Sequence, residues 1–149
     1  MIKKIAFFII FFVSVKISNC QEIGMEQTAT YINSKLGGSN TIEVVHGVIV
    51  ATFLENGQTF REDQVAIQDL DSTQVKYISE QGMFVINCKS AKKNCVTRNF
   101  YLVRETKTYG RISFPVNLNQ SSANGLKNAF MHMIRLALIR KYESSTPFE

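Results

Sequence analysis

Thr41-Ile42-Glu43-Val44-Val45-His46-Gly47-Val48-Ile49-Val50-Ala51-Thr52-Phe53-Leu54-Glu55-Asn56-Gly57-Gln58 is the stretch that decides the fold of this 149-residue chain. β-Branched residues crowd it: Ile42, Val44, Val45, Val48, Ile49 and Val50. Such side chains pack well on a pleated surface and are crowded in a helix. The second half of the run is apolar on both faces, as in a strand covered from both sides. Asn56-Gly57 ends it. Both residues tolerate positive φ, so the pair fits the two-residue turn of a hairpin and sends the chain back along Gln58 to Ile67. Gly47 lies inside the run and marks a bend or a bulge.

Working toward the C-terminus, Asp69-Leu70-Asp71-Ser72 interrupts the strand pattern. Gln74 to Ser79 reads as a short strand, and Gln81-Gly82 turns it into Met83 to Cys88. Ser90 to Asn94 turns that strand into Cys95 to Arg104. Thr108-Tyr109-Gly110 then leads to Arg111 to Val116, where Pro115 marks a strand end or an edge. Strands joined by successive hairpins form an antiparallel sheet, because parallel neighbours need long crossovers.

A helix flanks the strands on each side. Met25, Ala29, Ile32 and Leu36 share one helical face, and Gly37-Gly38 is a natural stop. At the other end Leu126, Ala129, Phe130, Met133, Ile134, Ala137 and Leu138 form an apolar stripe at helical spacing. Ser121 or Ser122 is placed to cap its start. The reading is an α+β domain: an antiparallel sheet of about six strands, strongly bent or barrel-like, with a short N-terminal helix and an amphipathic C-terminal helix. This order of elements resembles the pleckstrin-homology-like fold, a bent antiparallel sheet of seven strands closed by a C-terminal helix. Seven strands here require the run from Thr41 to Leu54 to split at Gly47. That family's lipid binders place basic residues in the first hairpin, and Leu54-Glu55-Asn56-Gly57-Gln58 has none. The chain as a whole is similar to small exported bacterial proteins of no known function, a likeness that supplies no site.

The N-terminus reads as a leader. Met1-Ile2-Lys3-Lys4 is basic, Ile5 to Val15 is apolar apart from Ser14, and Lys16-Ile17-Ser18-Asn19-Cys20 is small and polar. This is the layout of a secretory signal, too short to span a bilayer stably. Ser18 and Cys20 suit cleavage before Gln21. Ile17-Ser18-Asn19-Cys20 also resembles the lipobox of bacterial lipoproteins, departing from it at Asn19, where that motif has Gly, Ala or Ser. On that alternative Cys20 carries lipid and holds the domain to a membrane. The expectation is therefore a leader over 1–20, one domain over 21–143 and a frayed tail over 144–149. The location follows: exported, periplasmic or secreted, or else lipid-anchored through Cys20.

Removing Lys3, Lys4 and Lys16 with the leader lowers the balance from 17 Lys+Arg against 12 Asp+Glu to 14 against 12. The basic character thus belongs largely to the leader, and net charge gives no reason to expect a nucleic-acid partner. In an oxidising compartment the remaining cysteines, Cys88 and Cys95, pair as a disulfide across one hairpin. Neither Cys-x-x-Cys nor a four-ligand metal set can be assembled from the sequence. Asp69 and Asp71 are too few for calcium and read as a polar turn. Lys89, Lys92 and Lys93, inside the disulfide loop, are a candidate contact for an anion such as a lipid head group or an acidic polymer. As solvated residues they would only blunt strand-edge pairing. Asn119-Gln120-Ser121 matches the N-glycosylation acceptor, which matters only on a eukaryotic secretory route.

No cofactor or metal is implied. The leading expectation is a non-catalytic exported binding or scaffolding module of the cell envelope, its partner an envelope protein or an anionic surface. The alternative is a small hydrolase using His46 or His132 with a nearby carboxylate.

Overall fold

The computed structural model describes residues 23–145, with side chains described as far as Arg140. The leader, Cys20 included, and residues 146–149 lie outside it. Helix α1 spans Met25–Leu36. The Gly24 amide donates to Gln27 Oε1 (3.3 Å), and the Thr28 hydroxyl donates to the Gly24 carbonyl (2.8 Å). The first bond satisfies an amide that a helix start leaves unpaired; the second adds to the Thr28 amide bond on the same carbonyl. Gly37, at φ 76°, ends the helix in the left-handed conformation.

Eight strands follow. They are β1 (Asn40–Val45), β2 (Val48–Glu55), β3 (Gln58–Ala66), β4 (Leu70–Ile78), β5 (Met83–Cys88), β6 (Val96–Phe100), β7 (Glu105–Tyr109) and β8 (Arg111–Pro115). The opening run does split at Gly47, but as a two-residue hairpin turn rather than a bulge in one strand. His46 and Gly47 take φ of 48° and 78°, as Asn56 and Gly57 take 52° and 77° in the next turn. The register between β2 and β3 shifts at Phe53/Leu54, leaving Phe60 without a partner on β2.

The expected single sheet of about six strands is corrected to eight strands in two antiparallel sheets. One is ordered β1-β2-β3-β6-β7, the other β4-β5-β8. The reason is non-local pairing. Strand β6 pairs with β3, from Arg61↔Phe100 to Val65↔Val96, and not with its neighbour in sequence, β5. Strand β5 lies instead between β4 and β8. The expected strand from Cys95 to Arg104 is two pieces: β6 stops at Phe100, the chain turns over Tyr101–Arg104, and β7 returns along β6. The short strand expected at Gln74 begins at Leu70, with a register irregularity between Leu70 and Val75.

Helix α2 runs Gln120–Ser145, past the expected end of the domain at residue 143. Its cap is Asn119, whose Oδ1 accepts from the Ser122 amide at 2.8 Å, and not Ser121 or Ser122. No helix among the described residues is long and apolar enough to cross a membrane.

One apolar cluster joins both sheets to both helices. Ile49, Ala51 and Phe53 alternate inward on β2, the period-two pattern of a strand with one covered face. Phe53 stacks on Phe114 of β8 at 5.6 Å, Phe114 on Phe130 of α2 at 5.7 Å, and Phe130 on Phe84 of β5 at 5.4 Å. Four aromatic rings thus tie the first sheet, the second sheet and α2 together. Leu126, Phe130, Met133 and Ile134 are buried, while Leu138, at the end of the expected stripe, is exposed.

Candidate functional site

The residues singled out in the sequence are dispersed. His46, in the β1–β2 turn, is exposed and lines a shallow cleft of about 660 Å³ with Glu26, Glu43 and Arg140. Among the described residues no hydrogen bond joins it to a carboxylate. His132 lies two turns before Arg140 on α2. Its Nε2 is 2.8 Å from the Ile23 carbonyl and its Nδ1 is 2.7 Å from Arg135 Nη2. A carbonyl only accepts and a guanidinium only donates, so this geometry assigns the ring hydrogen to Nε2. His132 therefore pins the chain's entry into the domain to α2, and both ring nitrogens are occupied without an acid.

Asp71 behaves as a turn residue. Its Oδ1 accepts from the Thr73 hydroxyl (2.7 Å) and the Thr73 amide (2.9 Å). The hydroxyl first, then the amide, hold its carboxyl below the ordinary aspartate range. Asp69 accepts the Lys89 amide through its backbone carbonyl at 2.8 Å.

Cys88 and Cys95 form a disulfide, with Cα atoms 5.8 Å apart. Because β5 and β6 belong to different sheets, the bond does not span a hairpin as expected; it clamps one sheet to the other. Inside the loop, Lys89 Nζ donates to the Gln68 carbonyl at 2.7 Å, so this lysine is held against the body. Lys92 and Lys93 are exposed.

Two features escape a reading of sequence alone. The first is a buried charge cluster. Arg61, Asp63 and Val65 face inward on β3, and Arg98 stands opposite Asp63 on β6. Asp63 is fully buried, and its two oxygens accept four bonds. Arg61 donates through Nε (2.9 Å) and Nη2 (2.6 Å), and Arg98 through Nε (2.7 Å) and Nη2 (2.8 Å). Arg61 also donates to the Ser113 carbonyl on β8 at 3.0 Å, crossing between sheets. Its guanidinium lies 3.8 Å from the centre of the Phe53 ring, and that of Arg98 lies 4.2 Å from the Tyr109 ring. Forked bonds and aromatic stacking are what arginine's planar head group permits and lysine's does not. The cluster locks β3, β6 and β8 together beneath the β6–β7 hairpin.

The second feature is the tip of that hairpin. Tyr101-Leu102-Val103-Arg104 carries the two most exposed large apolar side chains described, Leu102 at 76% and Val103 at 69%. The tip is not loose at its root. The Tyr101 amide donates to the Phe60 carbonyl (3.0 Å), and its hydroxyl donates to Glu62 Oε2 (3.1 Å). That bond to a carboxylate pushes the Tyr101 pKa up. Arg104 takes φ 52°, a position more often filled by Gly or Asn. With neither residue there, nothing in the sequence announces the turn. A clue is present nonetheless: Arg104 breaks an apolar run that has no alternating partner.

Comparison with family models, curated proteins and solved structures finds no match for this chain.

Proposed function

We propose that this chain is an exported, non-catalytic binding module of the cell envelope, and that it engages a partner protein through the tip of the β6–β7 hairpin. The observation supporting this reading is the exposure of Leu102 and Val103 beside a Tyr101 that is bonded to β3 through its amide and its hydroxyl. Contiguous apolar side chains on a monomer's surface mark contact sites more often than chance. Burying a Leu and a Val completely contributes about 3–5 kcal/mol. The forked Asp63 bonds and the inter-sheet disulfide hold the hairpin in place before contact, so little ordering cost is set against that gain. Arg104 and Lys107 flank the tip, the latter paired with Glu105 at 2.9 Å. The complementary surface is an apolar groove.

The basic loop belongs to the other end of the hairpin. The Lys93 carbonyl packs against Gly110, beyond the far end of β7. The tip therefore acts without help from Lys92 or Lys93.

The test is the size of the native complex. Extracts of the producing cell are separated gently by size, and wild type is compared with a Leu102→Ser/Val103→Ser variant. Wild type should migrate in an assembly larger than the free chain, and the variant as the free chain. Identical migration of the two removes the tip as the contact.

A further inference from the structure

A second surface, independent of the hairpin, lies where the chain enters the domain. Ile23 is 57% exposed, and Tyr31 on α1 with Met131 and Leu138 on α2 are exposed beside it. Two shallow grooves run through this face and share Asn128 and His132 as walls. One, of about 570 Å³, is almost wholly apolar and passes between Ile23, Tyr31 and Gly125. The other, of about 430 Å³, follows α2 past Met131, Arg135 and Leu138. No acidic side chain lines either groove. The described charges on the face are cations: Lys35 sits 5.4 Å above the Tyr31 ring, and Arg135 lies between Met131 and Leu138 on α2. Apolar side chains edged by lysine and arginine form the arrangement that rests on an anionic lipid surface.

The occupant is indicated by what precedes Ile23. Cys20 lies three residues upstream, and the apolar run Ile5 to Val15 lies beyond it. Three residues reach at most about 10 Å. The His132–Ile23 bond fixes the start of that reach on α2. On the lipoprotein alternative, a lipid on Cys20 lies within about 10 Å of this face, whereas the leader's apolar run ends at Val15, eight residues or at most about 28 Å before Ile23. The hairpin tip belongs to another part of the fold. Helix α1 is bonded to β1 through Asn33 and Ile42, and β7 is the opposite edge of that sheet, four strand spacings or about 19 Å away.

We infer that the α1–α2 face is a membrane-contact surface that seats on anionic phospholipid and turns the β6–β7 edge away from the bilayer. The surface acts as a weak second contact beside whatever attachment the N-terminus provides.

The experiment uses the exported protein purified from its native compartment, with vesicles of phosphatidylglycerol or phosphatidylcholine at low and physiological salt. Wild type is compared with Met131→Ser/Leu138→Ser and with Lys35→Gln/Arg135→Gln. All three share one N-terminus, so differences among them report the face. Each cation is worth roughly a fivefold change in partitioning, so removing both should weaken binding to phosphatidylglycerol roughly thirtyfold at low salt. An environment-sensitive fluorophore on Met131→Cys should shift to the blue with these vesicles, and one on Leu102→Cys should not. Thermal melting confirms that each variant is folded. Equal vesicle binding by wild type and both variants overturns the inference, as does a blue shift at position 102 without one at 131.

Discussion

Replacing Asp63 by Asn keeps the volume of the side chain and removes the one negative charge between Arg61 and Arg98. The consequence can be worked from the geometry. The carboxylate accepts four bonds, two from each guanidinium. An Asn presents one oxygen, and its amide hydrogens face other donors. At least two bonds are lost, and two cations, each only 11–12% exposed, are left without a counter-charge. Removing one partner of a buried ion pair costs about 3–5 kcal/mol. For a domain of this size that lowers the melting temperature by roughly 12–20 °C. It lowers the urea midpoint by roughly 2 M. Arg98→Met should cost less, because Asp63 and Arg61 remain a neutral, forked pair. Replacing all three residues by apolar ones of similar volume should come close to wild type, since desolvation of the charges is removed with their attraction. The assay is urea unfolding at 25 °C of the three variants beside wild type. An Asp63→Asn loss below about 1 kcal/mol, or an Arg98→Met loss larger than that of Asp63→Asn, would refute the reasoning.

Other outcomes follow from the same packing. Cys88→Ser opens an eight-residue loop and should cost about 2.5 kcal/mol by chain entropy, measured as the difference in unfolding free energy under oxidising conditions. Phe130→Ala, at the centre of the ring stack, should cost about 3–5 kcal/mol in the same assay; wild-type stability would show that the stripe faces a partner instead. Asn119→Ala should cost about 1 kcal/mol through loss of the α2 cap. The Asp71 carboxyl should titrate below ordinary aspartate by NMR and return toward it in Thr73→Val. A depressed folded pKa stabilises above the unfolded value and ceases to do so as pH falls through the folded one, so any stability difference between Asp71→Asn and wild type should fade on acidification.

What could be read in the sequence was local. Met25–Leu36 has its apolar spacing and its glycine stop side by side. Asn56-Gly57 names its own turn. Cys88 and Cys95 are the one pair left after Cys20, whatever elements carry them. The parts that could not be read depend on pairing at a distance. Nothing near Val96 says that it pairs with Val65 of β3, 31 residues earlier, rather than with β5. Tyr101–Arg104 turns without Gly, Asn or Pro, so it reads as more strand. Asp63 sat beside Glu62 as one of two carboxylates. Its inward direction depends on β3 register, and its neutralisation depends on Arg98, which the sequence places 35 residues away. The candidate site was hidden for the same reason: Tyr101-Leu102-Val103, read as the end of a strand, carries the most exposed large apolar side chains among the described residues.

The most direct measurement is photo-crosslinking in the living producer cell from a probe at position 102, with position 56 as control. Both lie in hairpin turns of the larger sheet, at the end away from Gly47, but only position 102 belongs to the apolar tip. One discrete protein adduct is expected from position 102, lost when Val103→Ser is added, and none from position 56. Equal adducts from both positions, only lipid adducts from position 102, or no adduct at all would contradict it.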